Sequence, residues 1–311
     1  MLHEKVFRKA SKSSREKANR KAIHSVANTG PQLKRRAFFA TSTADSKGGQ
    51  GFDPDDISGC MLWLKADSIS GSDGDDVTAW SDSSGEGHNV TVPSGASNRP
   101  HYKTNIMNGQ PTILFNGSNE EYLTTTGIDD VIRGGQGTDF TVFLAVKPTS
   151  VSTNNQLMFG SYYTSAWQSV SLGRNSNKLA MGIDNASKFK VLGKDTDGDV
   201  STSGSALSDD TGYVVSCAYD DSENIMWQFI NGTQTDKETS FECGTNSAGA
   251  PTMGGIATAG RGGTTISNEY TGHIAEVIVF NSLLSERNMV DVNHYLGNKY
   301  GISVASKTRF G

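Results

Sequence analysis

The chain has 311 residues, 35% of them hydrophobic, with 35 glycines and a formal net charge of −5. Its longest apolar runs, "AEVIVF" and "MLWLKA", are strand-sized and far short of the roughly 20 residues that a spanning helix needs, which argues for a soluble protein with no membrane partner. Three cysteines, Cys60, Cys217 and Cys243, are too widely spaced to form a metal motif and too few to complete a disulfide framework, so they read as small buried side chains. A reducing compartment, or assembly inside a cell, follows from that usage.

The chain opens with a basic arm over residues 1–40. It carries eleven Lys and Arg against Glu4 and Glu16, a net of +9, so the remainder holds −14. Good helix formers and a weak apolar spacing through Leu2, Val6 and Ala10 make it partly helical, with too little apolar surface to fold by itself. Lys34, Arg35 and Arg36 form its densest cationic cluster and are the candidate anchoring residues. Three readings of the arm stand side by side: docking onto an acidic partner surface, a removable organellar leader, and a solvated tail. Residues 41–55, rich in Ser, Thr and Gly, read as a flexible linker.

From Gly59 onward, short alternating segments are separated by turn residues, which is the pattern of an all-β domain. In "DFTVFLAVKP", Phe140, Val142, Leu144 and Val146 share a face and Pro148 ends the pairing. "GYVVSCAY" aligns Tyr213, Val215, Cys217 and Tyr219, and "NIMWQFINGTQ" aligns Ile225, Trp227 and Phe229. Apolar residues on both faces of several strands predict two stacked sheets. Trp63, Phe115, Phe143, Trp227 and Ile278 are the predicted core. Asn-Gly at 108–109, 116–117 and 231–232 predicts three hairpin turns. Near the end, Met289, Val292 and Leu296 fall on one helical face, with Ser285 as N-cap and Gly297 and Gly301 as stop positions.

The segments "GCMLWLKAD", "VTAWSDSSGEGHNV", "RPHYKTNIMNGQPTILFNGSNEEYL", "GHIAEVIVFNSLLSERN" and "YLGNKYGI" occur in that order. Together they resemble the laminin-G-like jelly roll of the concanavalin A-like lectin/glucanase group, over roughly Asp56 to Ile302. The resemblance implies a two-sheet antiparallel jelly-roll sandwich at 56–305 with neighbouring first and last strands, a short C-terminal helix, and a tail at 306–311. It also resembles modules of tailed-bacteriophage structural proteins and bacterial surface proteins, in which the fold serves binding more often than catalysis.

Within that frame, Trp80 closes a strand, and Asp82, Ser84, Gly85 and Gly87 build the tight turn after it, leaving Glu86, His88 and Asn89 as polar tips. The acid runs Asp73, Asp75, Asp76 and Asp195, Asp197, Asp199 each supply part of a calcium ligand set, the second being the better metal candidate. Val200 and Ala206 stand where an EF-hand needs Gly and Glu, so that motif is rejected and no cofactor is required. Hydrolysis of a glycan needs paired carboxylates. Glu276 stands alone among apolar neighbours, Glu120 and Glu121 point apart if extended, and no nucleophile elbow or metal-ligating His pair is present. Tyr162, Tyr163 and Trp167, in a Ser/Thr-flanked stretch, form the candidate sugar platform, a partner-packed edge being the equal alternative.

The sequence therefore predicts a non-enzymatic virion structural or decoration protein. Its arm would hold capsid or tail protein, its lectin-like head would project from the virion surface toward host glycans, and nucleic acid is disfavoured by the acidic head. A free extracellular or cell-surface lectin-like module and a divergent glycan hydrolase are the rival expectations.

Overall fold

The computed structural model describes residues 51–92, 98–117, 121–126, 128, 131–132, 138–151, 156–161, 179–193, 200–243, 253–256 and 269–311. The chain divides after Ser46, and all of these residues belong to the second unit, Lys47–Gly311. Its strands, in chain order, are β1 (Cys60–Lys65), β2 (Ala79–Trp80), β3 (Val90–Thr91), β4 (His101–Met107), β5 (Gln110–Phe115), β6 (Leu123–Thr126), β7 (Phe140–Pro148) and β8 (Gln156–Ser161). They continue with β9 (Leu179–Ile183), β10 (Lys188–Leu192), β11 (Val200–Ala206), β12 (Tyr213–Asp220), β13 (Ile225–Ile230), β14 (Thr233–Thr239), β15 (Met253–Ile256) and β16 (Gly272–Phe280). One helix, α1 (Glu286–Tyr300), follows the last strand.

Among the described residues these strands form two eight-stranded sheets. The first runs β14-β13-β12-β7-β16-β5-β4, with β1 also on β16; the second runs β11-β10-β9-β8-β15-β6-β3-β2. Their strand pairings are antiparallel throughout. The long β16 is flanked by β5 along its first half and by β1 along its second, so first and last strands are neighbours, as the jelly-roll expectation required.

Alternation along the central strands divides the apolar residues between two cores. Phe140, Val142, Leu144 and Val146 of β7 meet Val215, Cys217 and Tyr219 of β12 in the cluster that also takes residues of the second sheet. Their neighbours point the other way. Phe143, Ala145, Val214, Trp227, Phe229 and Ile278 form a second cluster with Met289, Val292 and Leu296 of α1. The predicted core residues are all buried, but only Phe115 lies in the larger cluster; Trp63, Phe143, Trp227 and Ile278 lie under the helix. A β-sheet with both faces covered explains why these strands are apolar at nearly every position.

Local signals act as the residue types dictate. Asn108 and Gly109 have φ of 51° and 77°, and Asn231 and Gly232 have 52° and 75°, which makes both pairs two-residue hairpin turns. The third expected hairpin, at Asn116-Gly117, is absent: β5 and the next strand, β6, belong to different sheets. Gly117 is needed for space instead, since a Cβ there would lie 2.1 Å from Thr271 Oγ1. Ser285 caps α1 by accepting the Asn288 N–H at 3.2 Å, and Gly301 ends it at φ 69°. Gly297, expected as a stop, is inside the helix; a Cβ there would sit 2.8 Å from the Ile302 carbonyl oxygen. Residues 306–311, set apart as a tail in the sequence, pack on the first sheet. Thr308 Oγ1 donates to the Gly232 carbonyl, Gly311 N donates to Gln234 Oε1, and the Phe310 ring lies 4.9 Å from that of Trp227.

Candidate functional site

The outer face of the first sheet is only partly covered by α1 and the chain end. Beyond the helix, one diagonal row of side chains crosses four strands: Lys103 on β4 opposite Thr112 on β5, then, stepped two residues along, His273 on β16 opposite Lys147 on β7. Thr112 and His273 are buried, with Oγ1 and Nδ1 2.8 Å apart. Burial, with Lys147 and Lys103 adding repulsion, holds the His273 imidazole down at about 4, so it is uncharged at neutral pH. Lys103 is paired with Asp73 at 2.5 Å.

At the end of this row lies an open groove of about 420 Å³. One wall is the β4–β5 turn, with Ile106, Met107 and Asn108; another is the loop Asp210–Gly212; the third is Tyr300 to Ser303 at the end of α1. Lys147, at the end of β7, also lines the groove. Each wall is pinned. Asn108 Nδ2 donates to the Asn298 and Lys299 carbonyls, tying the turn to the last turn of the helix. Asp209 Oδ1 accepts the Val151 N–H at 2.7 Å and the Asp210 N–H donates to the Pro148 carbonyl at 2.7 Å, so the loop is stapled to the end of β7. Asp210 adopts a left-handed φ of 55°, and its carboxylate is largely exposed. Its Oδ1 lies 4.0 Å from Lys147 Nζ, a loose pair whose partners are 74% and 25% exposed.

A second polar cluster sits under α1. Glu276 is fully buried; its Oε1 accepts from Trp63 Nε1 at 2.5 Å, and its Oε2 accepts from Tyr300 Oη at 2.7 Å and Lys299 Nζ at 2.8 Å. Lys299 also reaches Asp67 at 3.0 Å. Burial, reinforced by the Glu276 charge, pushes the Tyr295 and Tyr300 phenols upward. Two carboxylates therefore do meet at one ammonium, which the sequence did not foresee. They are unsuited to glycoside hydrolysis, because Glu276 is closed to substrate and its oxygens are engaged by three donors. The cluster joins the helix to β1 and β16.

The solved structures that resemble the chain include a botulinum neurotoxin type C structure concerned with its interaction with two ganglioside molecules, at 11% identity and a TM-score of 0.51, covering 78% of this chain and 52% of that one. The binding domain of botulinum neurotoxin DC in complex with rat synaptotagmin II matches at 12% and 0.53, with the same coverage. The binding domain of Paraclostridial Mosquitocidal Protein 1 matches at 10% and 0.53, again covering 78% and 52%. The likeness is one of fold. The chain spans about half the length of these matched chains. No family model matches the sequence, and no curated protein does.

Several candidate residues lie outside the described residues: the anchoring Lys34, Arg35 and Arg36, the aromatic Tyr162, Tyr163 and Trp167, and the metal candidates Asp195, Asp197 and Asp199. The first acid run is described, and its carboxylates diverge. Asp73 takes Lys103 and the Thr104 N–H, Asp75 accepts the Ser72 N–H at 2.7 Å, and Asp76 faces His101 at 3.3 Å. Together with the Val77 N–H on the Pro100 carbonyl, these contacts cover the free edge of β4, which is a structural use of acids. No group of three potential metal ligands occurs among the described residues.

The Trp80 stretch is architectural as expected. Asp82 Oδ1 accepts the Trp63 and Ser84 N–H groups, Oδ2 accepts the Ser84 hydroxyl and the His88 N–H, and Asn89 Oδ1 accepts the Asp82 N–H. Gly85 and Gly87 take φ of 90° and 84°. The groove residues Lys147 and Asp210 were missed by sequence reasoning, because the lining comes from five segments distant in the chain. The one local hint was a lysine closing an otherwise apolar strand.

Proposed function

We propose that the chain is a non-enzymatic binding protein whose jelly-roll head takes a glycan in the groove between the β4–β5 turn, the Asp210–Gly212 loop and the end of α1. The observation that carries this reading is the groove itself: a fixed, open depression in which an acceptor, a donor and aliphatic surface converge. The fold lends support, because the structures that share it include two binding domains, of botulinum neurotoxin DC and Paraclostridial Mosquitocidal Protein 1, and a botulinum neurotoxin type C structure concerned with gangliosides. The +9 arm supplies the second half of the reading: Lys34, Arg35 and Arg36 anchor the chain to an acidic capsid or tail surface, and the head projects from the virion like a laminin-G-type decoration.

A glycan array probed with the full chain tests the head. Retention of a glycan by the wild type and its loss in Gly212→Leu, which fills the groove, is the expected result. Equal binding by both proteins overturns the assignment, and release of cleaved sugar by the wild type favours a hydrolase. The arm is tested by sedimentation with particles, where deleting residues 1–40 or changing Lys34, Arg35 and Arg36 to Ser is expected to abolish attachment. Unchanged sedimentation leaves a free lectin-like module.

A further inference from the structure

The chemistry of the groove narrows its ligand further, an inference that rests on the glycan reading above. We infer that the groove takes an uncharged, polyhydroxylated sugar unit, held by Lys147 and Asp210 acting together on neighbouring hydroxyls, and that it disfavours carboxylated or sulfated glycans. The charge distribution gives the first argument. Among the described residues lining the groove, Lys147 is the cation and Asp210 the anion, so the pair is neutral. The end of α1 that forms the third wall carries the negative pole of the helix, which disfavours an anion further. The nearest other cation in the row, Lys103, is already engaged by Asp73. His273, between the two lysines, is uncharged at neutral pH.

Geometry gives the second argument. At 4.0 Å the Lys147–Asp210 pair is too long for a hydrogen bond, and both groups keep capacity for a ligand. A carboxylate accepts from two hydroxyls, and an ammonium donates to a hydroxyl oxygen; adjacent hydroxyls of a sugar ring present both functions to such a pair. Ile106, Met107 and Ile302 offer aliphatic surface to the C–H face of the ring. The backbone gives the third. Asp210 occupies a left-handed conformation that few residues adopt readily, in a loop held by backbone hydrogen bonds, so its Cα is fixed at the rim while its largely exposed carboxylate stays open to a ligand. A groove of about 420 Å³ lies toward the small end of the roughly 300–1,000 Å³ of small-molecule sites, suited to a short saccharide.

The test measures binding of the full chain to matched neutral, sialylated and sulfated oligosaccharides at low and high salt. The variants are Asp210→Asn, which keeps the left-handed backbone, Lys147→Met, which keeps the aliphatic stem, and Gly212→Leu. At Gly212 the atoms nearest a Cβ are side-chain atoms rather than backbone, the flexible end Met107 Cε at 3.1 Å and Ile302 Cγ1 at 3.4 Å. Thermal melting checks that each variant is folded. The expected result is preference for neutral glycans, little change with salt, and weakening by about tenfold or more in both charge variants, the loss typical of a hydrogen bond to a charged group. Preference for acidic glycans with salt-sensitive binding, lost in Gly212→Leu, overturns the neutral-ligand inference and leaves the glycan site standing. Binding indifferent to all three variants, or no glycan bound at all, overturns both.

Discussion

Glu276 and His273 lie three residues apart on β16 and receive opposite treatment. The carboxylate is buried with a cation and two further donors, whereas the imidazole is buried between two lysines and kept neutral. Removing the cation by Lys299→Met strands a buried charge and is expected to cost about 3–5 kcal/mol in urea unfolding. The double variant with Glu276→Gln recovers part of that loss if the charge is the cause. For His273 the folded value of about 4 lies below the ordinary 6.5, so the unfolded chain binds the extra proton between those values. Stability therefore falls as pH drops from about 6.5 toward 4, by up to about 3 kcal/mol from this group, and His273→Gln flattens the slope. Urea midpoints at several pH values read it directly. Little of this was visible in the sequence. Glu276 stood alone there because its partner Trp63 is 213 residues away, whereas the buried cysteines were legible from their number and wide spacing. Burial, with Asp82 nearby, pushes the Cys60 thiol up to about 12, so maleimide is expected to leave it unlabelled until the fold opens.

At the scale of elements, what was legible was what short-range chemistry controls. The Asn-Gly pairs at 108 and 231 turn because their left-handed geometry matches the twist of adjoining strands, and the Ser285 cap needs only its own first turn. Asn116-Gly117 carries the same dipeptide but leads into the opposite sheet, a choice made by the long-range partners of β5 and β6. The groove was illegible for the same reason, being assembled from segments that meet only after the first sheet and α1 have come together. Asn231 makes the contrast measurable. Its Oδ1 accepts the Val214 N–H and its carbonyl accepts the Ala305 N–H, so it links the turn to β12 and the chain end. Asn231→Ala loses both the side-chain acceptor and the tolerance for φ 52°, and is expected to destabilise more than Ser285→Ala, whose cost is about 1 kcal/mol. Chemical denaturation of the two variants side by side decides it.

For the whole molecule, two cores share one sheet, so damage to either reaches the other through β7, β12 and β16. Phe115→Ala in the larger core and Trp227→Ala beneath the chain end are each expected to cost roughly 3–5 kcal/mol, with single unfolding transitions by both fluorescence and circular dichroism. Residues 47–311 are expected to fold without the arm, and removal of 306–311 to lower the melting temperature, because Phe310 packs on Trp227 and Phe229. The placement of β1 against the second half of β16 also sets a schedule for biogenesis. On the ribosome, Trp63 emerges 213 residues ahead of Glu276, the acceptor of its indole hydrogen bond. Until β16 is made, β7 and β5 lack the neighbour that joins them and β1 lacks the strand it pairs with, so the first sheet stays divided. Nascent chains ending before Gly272 should therefore be held by chaperones or cleaved by protease, and chains completed through the helix should become resistant together rather than piece by piece.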